Sequence, residues 1–188
     1  MTRAKPIPPR PGLGASRRRR EEILRVDHAG ELAAVHIYRG QRAVFGQARD
    51  RAKVDRDLGQ MHDQEAVHLA AFDQLLTESR ARPSLLSPLW RAAGFTLGAA
   101  TALMGEKAAH ACTEAVETVI EDHYGGQIEE LSVREPELAA RLAVFRDEEL
   151  AHRDHAVEAG AKDAAAYPLL SAVIRAGCRA AIKVAEKV

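Results

Sequence analysis

Two short patterns in this chain have the residue types and spacing to hold metal: Glu65-x-x-His68 and Glu149-x-x-His152. Residues three apart share one face of an α-helix, so each carboxylate and its imidazole can reach the same ion. One such pair means little in a chain with this much Glu and eight His. Here each pair is preceded by an isolated Glu in a helical stretch, Glu31 and Glu117. Two Glu-x-x-His pairs and two single Glu are the ligand set of a four-helix bundle with two metal ions in its core. Four buried carboxylates without compensation would be prohibitive, and two divalent cations would neutralise them. Oxygen-rich ligation with one imidazole per ion suits iron or manganese better than structural zinc.

Register offers an independent test. Where two antiparallel helices are joined by a turn, residues equally far from that turn sit level with each other. The midpoint of Glu31 and Glu65 is residue 48, inside a turn predicted from Gly46 to Asp50. The midpoint of Glu117 and Glu149 is residue 133, inside a connection predicted from Leu131 to Pro136. The halves also repeat, with 86 residues from Glu31 to Glu117 and 84 from Glu65 to Glu149. A pseudo-twofold bundle with one ligand hairpin in each half follows. The alternative, acids and histidines on solvated helix faces, predicts that Glu31→Ala or Glu149→Ala leaves metal content unchanged.

The elements that must position these residues are read from periodicity and breakers. A first helix starts near Ser16 and ends at Gly46, with Leu24, Glu31, Tyr38 and Phe45 seven apart on one stripe. A second starts at about Asp50 and is broken by Arg82-Pro83 and Ser87-Pro88. A third runs from about Pro88 to Tyr124, stopped or kinked by Gly125-Gly126. It opens on the least charged run of the chain, residues 92–105, which is shorter than the ~20 residues a bilayer span needs. Gly94, Gly98, Ala102 and Gly105 leave one side of it without bulk, either for close helix packing or for an apolar groove, and Trp90 is placed to dip into a membrane interface. A short IEELS piece leads to a fourth helix from Pro136 to Gly160. After Tyr167-Pro168, a last helix carries Arg175, Arg179, Lys183 and Lys187 four apart. It is either a surface helix packed on the bundle or a membrane-surface helix whose basic stripe meets anionic lipid.

Around the ligands, Asp27, His28 and Asp147 either orient a ligand or are ordinary helix-surface polarity. Tyr38 reads as core packing, His36, His62, His110 and His155 as ordinary helix residues, and Glu148 as a neighbour of the ligand Glu149.

The 188 residues suit one domain. Residues 1–20 read as a disordered basic tail, 21–165 as the bundle, and 166–188 as a C-terminal helix of the same domain. Seven of the 27 basic groups fall in 1–20 with no acid, leaving 20 against 27 acidic groups in the body. An acidic body argues against a general nucleic-acid binder, although the tail alone could touch phosphates or anionic lipid. Cys112 and Cys178 have no metal-finger spacing and fit a reducing compartment. The first residues lack the apolar core of a secretory signal.

The motifs RVDHAGELAAVHIYRGQ, HDQEAVH, ACTEAVETVIEDHY and FRDEELAHRDHA, with the closing YPLLSAVIRAGCRAAIKVAEKV, resemble the demethoxyubiquinone hydroxylase family of ubiquinone biosynthesis. The resemblance covers nearly everything from Glu21 to Val188. It implies an all-α, ferritin-like bundle holding two iron ions, peripheral to a bacterial plasma membrane or mitochondrial inner membrane, that uses dioxygen to hydroxylate the ring of a polyprenyl benzoquinol. The matching ligand positions are Glu31, Glu65, His68, Glu117, Glu149 and His152, and the family's His-Tyr falls at His123 and Tyr124, near the quinone headgroup. NADH is the implied electron donor, and a lipid-delivering protein and a second copy of the chain are implied partners. The run Ala33 to His36 departs from the commoner family residues without touching a ligand. A competing reading keeps the ligand set but makes the protein an iron-storing ferroxidase; the apolar third helix and the basic amphipathic terminus favour the hydroxylase.

Overall fold

The computed structural model describes residues 13–47 and 49–188, with side chains from 17 onward except at 49. Among these the chain is entirely helical. Helix α1 spans Leu13–Phe45, α2 Ala52–Ser79, α3 Ser87–Leu103, α4 Glu106–Leu131, α5 Pro136–Glu158 and α6 Tyr167–Ala185, with single 3₁₀ turns at Arg49–Arg51 and Ala161–Asp163. The bundle is built from two hairpins, α1–α2 and α4–α5, while α3 packs along α1 and α6 along α4.

Two expectations about boundaries change. Of the stretch 1–20, residues 1–12 lie outside those described, but 13–20 already form the first turns of α1. Arg17 pairs with Glu21, Arg19 with Glu22 and Glu130, and Arg20 with Glu135, so the basic run is tied to acids of α1 and of the α4–α5 end. The stretch expected to be one third helix is two helices. Gly105, at φ 113°, occupies a conformation that only glycine reaches cheaply, and it separates α3 from α4. Gly125-Gly126, in contrast, does not stop α4, which runs on to Leu131. Two interior glycines cost roughly 1 kcal/mol each relative to alanine, but the buried side chains of Tyr124, Gln127 and Leu131 around them keep the helix in register.

The small residues of α3 serve close packing. A Cβ on Gly98 would stand 2.0 Å from the Ile37 carbonyl oxygen, and one on Gly94 2.4 Å from that of Ala33. On α1, Gly40 is equally tight against α3, its Cβ falling 2.2 Å from Phe95 O. Trp90 faces inward rather than toward an interface: it is buried with Val26, Ala29 and Ala185, and its indole N–H donates to Ser84 Oγ at 3.0 Å. Helix α6 is pinned by Arg175, whose guanidinium meets the buried Glu114 carboxylate of α4 at 2.5 Å. This removes Arg175 from the predicted basic stripe, leaving Arg179, Lys183 and Lys187 exposed.

Two apolar layers close the bundle above and below its middle. One joins Leu24, Phe72, Tyr124, Leu142 and Phe145; the other joins Tyr38, Phe45, Leu58, Met61 and Ala109. The buried stripe Leu24, Glu31, Tyr38, Phe45 runs through both, and its one acid lies between them.

Candidate metal centre

Between those layers the six candidate ligands are all buried, none more than 4% exposed. They form two overlapping groups whose ligand atoms lie within 4.8 Å of one another: Glu31, Glu65, His68 and Glu149 in one, Glu65, Glu117, Glu149 and His152 in the other. Glu65 and Glu149 belong to both groups, so they would stand between two ions, and each group adds a single Glu and one imidazole. His68 Nδ1 is 3.0 Å from Glu149 Oε1 and 3.5 Å from Glu31 Oε2. His152 Nδ1 is 3.1 Å from Glu65 Oε1 and 3.2 Å from Glu149 Oε2.

Sharing one dry volume forces the carboxyl groups apart in proton affinity. Burial, with the charge of Glu149 adding to it, pushes Glu31, Glu65 and Glu117 up from the usual carboxylate range. Burial also acts on Glu149, but hydrogen bonds from His152 and His68 outweigh it and hold that carboxyl at about 2. Burial opposes charge on His68 as well, and bonds to Glu149 and Glu31 lift it to about 11 nonetheless. Glu31 Oε2 and Glu65 Oε1 are buried without an aligned hydrogen-bond donor. Orphaned carboxylate oxygens beside two inward imidazole nitrogens fit a pair of divalent cations, which would satisfy both oxygens and charge.

The surrounding residues repeat across the two halves. Tyr38 of α1 donates to Glu117 of α4 at 3.0 Å, and Tyr124 of α4 donates to Glu31 of α1. Each tyrosine lies seven residues after its own helix's single Glu. His68 Nε2 meets Glu148 Oε2 at 2.6 Å, and His152 Nε2 meets Gln64 Oε1 at 2.8 Å. Each of these partners lies one residue before the ligand Glu of the opposite hairpin. Reading Tyr38 as packing and Glu148 as a neighbour missed these contacts. The signal was the repeat itself, which extends from the ligands to Glu-x₆-Tyr and to an acceptor before each Glu-x-x-His.

Other candidates fall elsewhere. Asp147 is exposed and bonds to Arg146, away from the centre, because its position on α5 points to solvent. His28 is buried but its Nε2 pairs with Asp73 of α2 at 3.0 Å, outside the ligand groups. Asp27 is buried beside Gln127 Nε2 at 2.7 Å and His123 Nε2 at 3.3 Å, and burial raises its pKa. Asp27, His123, Tyr124 and Glu31 line one very small cavity of about 20 Å³. It shares Val26, Gly30, Ile120 and Ile182 with an almost wholly apolar cavity of about 80 Å³ between α1, α3, α4 and α6, which also reaches Trp90 and Cys178. Around these helices Leu85, Leu89, Phe95, Leu103, Leu169 and Val173 stand exposed. Among the described residues, no helix is long and apolar enough to cross a membrane.

Residues 18–185 match the family model described as ubiquinone biosynthesis protein COQ7. The chain is 52% identical over 168 residues to the 3-demethoxyubiquinol 3-hydroxylase of Rhodospirillum rubrum, covering 89% of this chain and 78% of that protein. It is 47% identical over 171 residues to the mitochondrial NADPH-dependent 3-demethoxyubiquinone 3-hydroxylase of Mus musculus, with 89% and 77% covered. To the mitochondrial 5-demethoxyubiquinone hydroxylase of Saccharomyces cerevisiae it is 40% identical over 183 residues, with 89% and 78% covered.

Proposed function

The chain belongs to the ubiquinone biosynthesis protein COQ7 family, and from that premise we propose that it is the hydroxylase that adds oxygen to the ring of a demethoxy polyprenyl benzoquinol. The observation that carries the reading is the pair of overlapping Glu/His groups sharing Glu65 and Glu149. In our reading Glu31 and His68 would hold one iron, Glu117 and His152 the other, and Glu65 and Glu149, common to both groups, would serve both. When bound, two ferrous ions would supply the redox chemistry that dioxygen activation needs. One oxygen atom replaces a ring hydrogen and the other leaves as water, with two electrons and two protons from a reductant. NADH is the donor the family resemblance implies; the mouse relative is named NADPH-dependent. We therefore assign the electrons to a reduced nicotinamide dinucleotide.

The protein's own groups do the positioning. Tyr38 and Tyr124 hold the two terminal carboxylates by their hydroxyl protons. The apolar layers on both sides exclude water, which strengthens every charge interaction between them. The ring approaches at the small cavity beside Glu31, with His123 and Tyr124 against the headgroup and Asp27, its proton affinity raised by burial, beside His123. The larger apolar cavity takes the isoprenoid, which enters from the membrane-facing side between α3 and α6. The exposed apolar residues of that face, with Arg179, Lys183 and Lys187, support peripheral attachment to an anionic membrane. On the same face we place the lipid-delivering partner or a second copy.

The test is an iron-loaded, anaerobically reduced sample given demethoxyubiquinol and isotopically labelled oxygen. The product should gain one labelled atom, and a product without it overturns the assignment. An iron-mineral deposit with no isoprenoid in an organic extract of the protein would favour the ferroxidase reading.

A further inference from the structure

The two halves of the centre match in their tyrosine contacts and in the place of the acceptor behind each imidazole, but the two acceptors differ in kind. The imidazole of His68 is backed by a carboxylate, Glu148, at 2.6 Å, whereas that of His152 is backed by an amide, Gln64, at 2.8 Å. Both rings turn Nδ1 toward the ligand oxygens, so both must carry their proton on Nε2 to leave a lone pair for metal. The two partners enforce that requirement unequally. A carboxylate only accepts, so Glu148 fixes the Nε2–H tautomer of His68 and aims its ring. An amide can accept through its oxygen or, flipped, donate through its nitrogen, so Gln64 serves either tautomer of His152. The flipped arrangement puts a proton on Nδ1 and closes that nitrogen to metal. A charged acceptor also makes the stronger hydrogen bond and draws the Nε2 proton outward, which makes Nδ1 the better donor.

We propose that Glu148 and Gln64 make the two metal positions unequal, so that the Glu31/His68 position fills first and holds its ion more tightly than the Glu117/His152 position. Glu148 is a positioning residue in this scheme: it acts only through His68. The inference rests on the two-metal reading above. It adds an order of loading, and it places the firmer ion at the position beside the cavity lined by Asp27, His123 and Tyr124.

Calorimetric titration of metal-free protein with cobalt(II) or, anaerobically, iron(II) tests it. Wild type should bind in two steps separated by about 10–100-fold, the usual weight of such a backing contact. Glu31→Ala should remove the tighter step and Glu117→Ala the weaker one. Glu148→Gln keeps an acceptor but removes its charge and its fixed direction, and should weaken the first step until the two merge. Gln64→Glu, at an exposed position, should tighten the second step toward the first. Should Glu148→Gln fail to fold, Gln64→Glu decides alone. Two ions binding with one affinity in wild type overturn the proposal, as does a separation left intact by both variants, even if Glu148→Gln lowers the melting temperature. Failure of the two-metal reading looks different: wild type would bind fewer than two ions, and Glu65→Ala would not change the number.

Discussion

The α1–α2 and α4–α5 halves of the centre present the same inner ring: a single Glu, a Glu-x-x-His pair, a tyrosine to the opposite single Glu and an acceptor behind the opposite imidazole. Just outside that ring they diverge. Beside Glu31 stand Asp27, His123 and the small cavity that joins the apolar one. On the Glu117 side, Cys112, Ala115 and Val116 of the same helix pack with Ile37 and Ile174. The symmetric part is what two like ions demand, since each needs the same donors. The asymmetric part is what one substrate demands, since a ring can approach from only one side. Conservation of the pattern between halves therefore separates holding the metals from choosing the face of attack.

The largest expected effects break the shared part of that comparison. Glu65→Ala or Glu149→Ala removes a carboxylate common to both groups, and metal content measured by elemental analysis should fall toward zero with hydroxylation at background. Glu31→Ala and Glu117→Ala each remove a terminal ligand of one position and should leave about half of the wild-type metal. Equal losses from shared and terminal variants would abolish the distinction between bridging and terminal carboxylates.

Removing the metals altogether should reverse the pH response. In metal-free protein Glu31, Glu65, Glu117 and Asp27 bind protons more tightly folded than unfolded, because burial raises them. His68, lifted to about 11, does the same above its unfolded value of about 6.5. Stability should thus be highest near the ordinary carboxylate range and fall as pH rises from about 4.5 to 8. Glu149, held at about 2, works oppositely, but its contribution is lost only below that window. His110, pushed down to about 4 by burial, and His28, also lowered, oppose the fall up to their unfolded value of about 6.5 but are outnumbered by the raised groups. A chain of this length loses about 2–4 °C of melting temperature per kcal/mol of stability, so the fall is readable by thermal melting. Divalent metal binds the ionised carboxylates, so holoprotein should instead gain stability over the same rise. A metal-free melting temperature that climbs from pH 5 to 8 would contradict the burial of these acids.

The two tyrosines sharpen the difference between faces. Tyr38→Phe and Tyr124→Phe each remove a hydroxyl donor from a buried carboxylate, a loss of about 1.5–3 kcal/mol where the partner is charged. Both should lower the melting temperature by several degrees. Only Tyr124 lines the cavity beside Glu31, so Tyr124→Phe should also raise KM for the quinol, while Tyr38→Phe leaves it near wild type. Identical kinetic profiles would place the ring elsewhere.

The sequence makes the symmetric ring legible and hides most of what lies around it. Ligand spacing within a helix and register about a turn are one-dimensional facts, so Glu31, Glu65, His68, Glu117, Glu149 and His152 can be named before any fold is known. The bonds of Glu148 and Gln64 depend on helix rotation across the bundle, and their polar neighbours Asp147 and Asp63 reach no ligand imidazole. Arg175 looks like part of a lipid-facing stripe because spacing alone does not reveal Glu114 beneath it. The break at Gly105 and the continuity through Gly125-Gly126 are decided by packing, since local propensity treats all three glycines alike. Trp90 reads as an interface anchor until Ser84 is found within reach of its indole.

The smallest expected effects come from the two outer helices, which cover the same bundle in different ways. Helix α3 meets α1 backbone to backbone, so Gly98→Ala pushes a methyl group against the Ile37 carbonyl, and overpacking of this kind costs about 1–3 kcal/mol. Helix α6 is pinned by side chains from Glu114, and Gly177 on it has nothing within 4 Å of where a Cβ would sit. Gly177→Ala should therefore stabilise the helix by up to about 1 kcal/mol through propensity alone, a rise of about 2–4 °C measurable by thermal melting. Since α3 and α6 flank the apolar cavity, the same two variants also report on it. Gly98→Ala must move α3 off α1 and should alter turnover of long-tailed more than short-tailed quinols, whereas Gly177→Ala should change stability and leave both rates alike. A Gly98→Ala protein as stable as wild type, with unchanged tail preference, would mean that the contact between α1 and α3 is looser than its carbonyl distances require.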